Sequence, residues 1–141
     1  MRDYRYLPAS VNPDEANSLF EEFLENHAAD KQAKYEDIHN LVTLSYLQAD
    51  TFELVYPQTA KKIEEYLFRI MDLERSELAI GILTIALTLG LVSVFRYIYT
   101  ELKNIQAPGL REQLEMLIER DGTHPEDPYY DYTHPRNIEN L

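Results

Sequence analysis

Residues Leu78–Phe95 read LAIGILTIALTLGLVSVF, eighteen consecutive residues without a charge. Apolar on every side, this stretch meets the lower length for a membrane-spanning helix, and its Gly, Thr and Ser residues are tolerated in lipid. A helix apolar all round also suits the centre of a water-soluble bundle. The flanking helices decide between the two. Their apolar stripes need a partner, and moving this segment into lipid would leave them facing water. Arg96, Glu101 and Lys103 follow closely, so the apolar margin is narrow. The segment is therefore read as the central helix of an all-α bundle. A helix from Leu78 to Lys103 would be roughly 39 Å long, so a kink or break is expected near Gly90. Leu91–Tyr99 alternates well enough for a strand, but no partner strand or hairpin turn is visible.

Four further helices are expected around it. Asn12-Pro13-Asp14-Glu15 combines a cap, a first-position proline and a capping-box acid. The helix it starts runs to about Ala29, with Ala16, Leu19, Phe20, Phe23, Leu24 and His27 on one face. A second covers Lys31 to Ala49. Tyr35, Ile38, Leu41, Val42 and Ser45 share its face, and Leu44 and Leu47 lie off it, which implies contact from two sides. Pro57 sets a boundary and opens a third helix to about Met71. It places Tyr66 inside and pairs Glu65 with Arg69 at i,i+4. Ser76 is the expected cap of the central helix. Ala107-Pro108-Gly109 breaks the chain before a fifth helix from Gly109 to Arg120, with Leu110, Leu114, Leu117 and Ile118 inward.

The expected division is a helical domain over 1–122 and an irregular, acidic, Pro- and Tyr-rich tail over 123–141. A single domain suits 141 residues. The N-terminus shows no apolar stretch of signal length, and the chain has no cysteine. A cytoplasmic location is the default. The net charge is −12, the opposite of a nucleic-acid binder's basic footprint. Residues 1–30 and 111–141 each carry −5, whereas 78–110 carry +1.

Two carboxylate stripes follow from helical spacing. Asp14, Glu21, Glu22 and Glu25 lie on the outer face of the first helix, with no basic residue among them. Glu112, Glu115 and Glu119 lie on the outer face of the last. Eleven tyrosines and no tryptophan suit protein contact, since tyrosine offers rigid area with one polar tip. Tyr4, Tyr6, Tyr129, Tyr130 and Tyr132 fall in charged terminal segments, where packing on the bundle and contact with a partner are equally good explanations.

Catalytic chemistry has no motif here. There is no Gly-x-Ser-x-Gly elbow, and the paired carboxylates sit on solvated faces where no desolvation separates an acid from a base. Glu36-Asp37-Ile38-His39 holds one Glu-x-x-His, whereas a di-metal bundle needs two plus further carboxylates. His27, with Asp30 nearby, is read as a hydrogen-bonded histidine at the core edge. His124 and His134, with Glu126, Asp127 and Asp131, belong to the acidic tail. No cofactor, metal or catalytic residue is assigned.

The favoured function is a non-enzymatic acidic module that docks on a basic, nucleic-acid-acting protein, a nuclease toxin being one such partner. Bacterial immunity proteins and antitoxins are similar in character: small, acidic and tyrosine-rich. No motif matches a specific family, so no residue is transferred. The partner-binding residues would be the two stripes and Glu126, Asp127, Tyr129, Tyr130, Asp131 and Tyr132. That last segment is expected to order on the partner. The alternatives are a membrane-associated protein anchored through Leu78–Phe95 and a metal-dependent helical-bundle enzyme. Surplus apolar surface on the second helix leaves a homodimer open.

Overall fold

A computed structural model of the chain describes residues 2–130. Among them are six α-helices and no strand. The helices are α1 (Pro13–Asn26), α2 (Tyr35–Ala49), α3 (Pro57–Ile70), α4 (Ser76–Leu89), α5 (Val92–Glu101) and α6 (Leu110–Asp121). Short 3-10 turns occupy Tyr4–Tyr6 and Leu102–Asn104. The all-α bundle expected from the sequence is what the chain adopts.

The apolar stretch is not one helix. At Gly90 the backbone enters the left-handed region at φ +73°, where a residue with a Cβ is strained. The Leu91 N–H turns back to the Ala86 carbonyl at 2.9 Å, closing α4. The chain then restarts as α5, and Val94, Phe95 and Ile98 form its buried stripe. The segment that alternated like a strand is therefore helical. Among the described residues, no helix is long and apolar enough to cross a membrane.

Packing joins the helices in a ring. α1 lies against α2, α2 against α4, α4 against α5, α5 against α3, and α3 back against α1. α6 rests on the outside of α4. The most extensive contact is between α2 and α4, and Gly81 makes it possible. A Cβ there would overlap Ile38 Cγ2, so α4 presents bare backbone to a fully buried side chain. Because α2 touches both α1 and α4, Leu44 and Leu47 are buried beside Ile38 and Leu41, as contact from two sides requires.

Helix starts follow local chemistry. Asn12 Oδ1 accepts from the Glu15 N–H at 2.8 Å and Glu15 Oε1 from the Asn12 N–H at 3.1 Å, completing the capping box. α2 begins at Tyr35, four residues later than expected, because residues 27–34 are tied down otherwise. Asp30 bonds His27, the buried Ala33 carbonyl accepts from Arg75, and Asp37 Oδ2 accepts from the Lys34 N–H. As its first residue, Tyr35 is exposed and lies over His39, not in the core. Ser76 is the first residue of α4, and Arg75 stands at the cap position. Arg69 does not pair with Glu65. It donates to the carbonyls of Asp30 at 2.6 Å and His27 at 3.0 Å, because these two carbonyls, in the turn that follows α1, face it across the α1–α3 contact.

The Gly81–Ile38 approach makes a test of sign. In an open helix Gly→Ala gains about 1 kcal/mol of helix propensity. Gly81→Ala should instead cost about 1–3 kcal/mol through overpacking, read from the urea midpoint. Ile38→Ala should remove most of that cost in a double-mutant cycle.

Candidate functional site

On α1 the outer carboxylates meet partners from elsewhere in the chain. Asp14 accepts from the Tyr56 hydroxyl. Glu21 takes the Thr59 hydroxyl at 2.7 Å and the Lys62 ammonium at 2.9 Å. Glu22 is held by Arg2 through two parallel bonds of 2.9 and 2.8 Å, the bidentate geometry that suits a guanidinium. These bonds hold the Glu21 and Glu22 carboxyls below the usual carboxylate range. Only Glu25 of this stripe is exposed without a bond. No cation is interleaved along α1 itself. They arrive from α3 and the N-terminus because α1 packs beside both.

α6 is different. Glu112, Glu115 and Glu119 are all exposed, and none is engaged by an ion pair or hydrogen bond among the described residues. The arginines of the same helix are committed elsewhere: Arg111 donates to the carbonyls of Lys103 and Ile105, and Arg120 pairs with Asp121 at 2.8 Å. Met116, 69% exposed, stands one turn from both Glu112 and Glu119. The face is an apolar side chain ringed by uncompensated carboxylates.

Residues 123–130 return to the bundle. Pro125 and Pro128 lie over Gly90. The Tyr129 hydroxyl donates to the Glu53 carbonyl at 2.7 Å, and its ring tilts against Phe52 at 5.8 Å. Burial, with Glu53 and Asp50 nearby, pushes the Tyr129 phenol upward. Phe52 itself has φ +56°, a costly conformation for a bulky residue. Tyr130 stacks on His124, and Asp127 Oδ1 accepts the Tyr129 N–H. Of the expected tail contacts, Glu126 is exposed and Tyr129 is seated in the chain's own structure. Asp131 and Tyr132 lie outside the described residues. Between this strap, α4 and α6 runs a groove of about 560 Å³, with Tyr46, Thr84 and Leu117 in its walls and Glu119 and Asp121 at its rim. The groove joins Glu119, at the end of the α6 stripe, to the strap, with Arg120 and Asp121 beside it.

The fold also assembles a group that spacing alone does not reveal. His27, at the end of α1, bonds Asp30 through Nδ1 at 2.7 Å, as a hydrogen-bonded histidine should. Asp37, on the first turn of α2, stands 3.9 Å from the other ring nitrogen. The Glu-x-x-His motif drew notice to Glu36 and His39, but both are exposed. Asp37, next to Glu36, turns inward. At the opposite terminus, Tyr4 packs edge-on against Phe23 at 6.3 Å, whereas Tyr6 is exposed.

No protein-family model matches the chain, and neither a curated protein nor a solved structure does so.

The α1 pairs set an acid dependence. A carboxyl held below its ordinary value adds stability above that value, and the stability is lost as pH falls through the lowered one. Glu21→Gln should lower stability at pH 7 by no more than about 1 kcal/mol, since the pair is solvent-screened. Urea midpoints of the variant and the wild type should begin to converge as pH falls below 4.5, the ordinary glutamate value, and meet once the lowered value is passed. A gap that does not narrow at all with acid would show that Glu21 acts through packing.

Proposed function

We propose that the protein is a non-enzymatic acidic docking module that covers the basic surface of a nucleic-acid-acting protein in the cytoplasm, an inhibitor in the manner of immunity proteins and antitoxins. The observation that carries this reading is the α6 face. Three exposed glutamates have no ion-pair or hydrogen-bond partner among the described residues, and an exposed methionine stands beside them. Leaving like charges uncompensated on one helix costs self-repulsion. The cost is recovered when lysines or arginines of a partner meet them.

The division of labour follows from charge. The α1 carboxylates are largely spent on Arg2, Lys62, Thr59 and Tyr56, so α6 takes the leading role. Glu112, Glu115 and Glu119 occupy positions that nucleic-acid phosphates would take on the partner and steer its approach. Met116, flexible and polarizable, supplies an adaptable apolar contact. The groove beside Glu119 and Asp121 receives a partner side chain. Glu126 extends the contact along the strap.

The experiment is affinity capture from the source cell on immobilised protein, with identification of what is retained. A basic nuclease or other nucleic-acid-acting protein, released between 0.1 and 0.5 M salt, is the expected result. Glu112→Gln/Glu115→Gln/Glu119→Gln should weaken its binding at least tenfold, while Glu21→Gln/Glu22→Gln/Glu25→Gln should change it less than threefold. Binding that is unaffected by salt and by the α6 triple variant would refute the reading.

A further inference from the structure

At the junction of α1 and α2, an imidazole and two carboxylates offer donor atoms that all lie within 4.8 Å of one another. The imidazole is deeply buried: His27 is 7% exposed. Its ring is packed on Phe23 at 4.4 Å, which fixes its plane. Asp30 Oδ2 sits 2.7 Å from Nδ1, a full hydrogen bond that places the proton on Nδ1 and the lone pair on Nε2. That lone pair faces Asp37 Oδ1 across 3.9 Å, too far for a hydrogen bond. Two metal–ligand bonds of about 2.0–2.2 Å can meet across such a gap. Asp37 is braced for the task, because its other oxygen accepts the Lys34 N–H at 3.1 Å, leaving Oδ1 uncommitted.

A second observation lies in the wall behind. Tyr66 is 1% exposed, its ring 6.3 Å from the imidazole, and its hydroxyl has no hydrogen-bond partner among the described residues. A buried donor without an acceptor costs about 1–3 kcal/mol, and an oxygen held on a cation beside it would supply that acceptor. Arg69 lies over the same tyrosine ring but is committed to the His27 and Asp30 carbonyls. The two carboxylates outweigh its single charge. Outside, a cleft of about 790 Å³ bounded by Arg2, Asp3, Lys34, Glu36 and Asn40 leads to His27 and Asp37.

We infer that His27 Nε2 and Asp37 Oδ1 form a binding site for a divalent transition cation of the zinc class. Asp30 orients the imidazole as an outer carboxylate, and Tyr66 donates to a water on the ion. The pattern is the carboxylate–histidine–metal arrangement, in which the outer carboxylate fixes tautomer and ring orientation. An imidazole with carboxylate oxygens suits zinc more than magnesium or calcium, which prefer all-oxygen shells. Among the described residues two protein ligands are present, so one further position holds the water that Tyr66 meets and the others are open to the cleft, to water or to a donor brought by a ligand. The site is independent of the α6 face, and either can fail without the other.

The probe is Zn²⁺ itself, titrated calorimetrically into the full chain, with Mg²⁺ at the same concentration as a control. Saturable 1:1 binding of Zn²⁺ and none of Mg²⁺ are expected. Asp37→Asn, which keeps an acceptor for the Lys34 N–H, should weaken Zn²⁺ at least tenfold, and Asp30→Asn by 10–100-fold. His39→Ala and Glu36→Gln, at the exposed neighbours, should change it less than twofold. Imidazole nitrogen resonances give a readout that packing alone does not move. Zn²⁺ should shift His27 Nε2 in the wild type, and Asp30→Asn should alter its tautomer. Absence of saturable binding, full affinity in Asp37→Asn, or dependence on His39 would each overturn the assignment.

Discussion

At Gly90 the backbone turns through a left-handed conformation, and the placement of every other helix follows from that turn. Eighteen uncharged residues in one straight rod would present more apolar surface than four amphipathic stripes can cover. Divided, the same residues give two shorter helices that fill adjacent places in the ring. α4 takes the position between α2 and α5, and α5 reaches α3. The turn in turn depends on its cover. Pro125 and Pro128 close over Gly90, so the strap after α6 protects the one point where the apolar stretch would otherwise open to water.

The same architecture sorts the charge. Carboxylates on a helix that packs beside two others find cations from its neighbours, as Glu21 finds Lys62 and Glu22 finds Arg2. Glu112, Glu115 and Glu119 on α6, which rests on α4, find none among the described residues. A net charge of −12 is thus not a uniform coat. It is largely compensated at the α1–α3 edge and left bare on α6. Bare charge around Met116 is costly for the isolated chain, and it is there that a basic surface gains most by binding.

Much of the fold was legible because the signals are local. The capping box at Asn12, the boundary at Pro57 and the break at Gly90 each depend on a few adjacent residues. What the sequence concealed lies across the ring. Arg69 has a glutamate at the favourable helical spacing, yet the His27 and Asp30 carbonyls in the turn after α1 outcompete it. Tyr35 fits the apolar period of α2, but residues 27–34 are bound up with His27, Ala33 and Asp37, so the helix begins too late to bury it. The α1 stripe looked unpaired because its cations stand 20 to 41 residues away. Asp37 next to His27 was invisible for the same reason: helical spacing relates residues on one helix, and this pair joins two.

The order of the ring has a kinetic side. Its members run α1, α2, α4, α5, α3, so α3 closes the circle between the first helix and the fifth and does not sit beside its predecessor. An up-and-down bundle forms each contact between helices next to each other in the chain. Here α2 must find α4 past an intervening helix, and α1 must find α3 across some forty residues. Tyr129 meets Glu53 only after 76. Each such closure gives up chain entropy before any packing rewards it. Among helical proteins of this size, folding should therefore be slow, with α4 apolar and uncovered until α2 and α5 have closed on it.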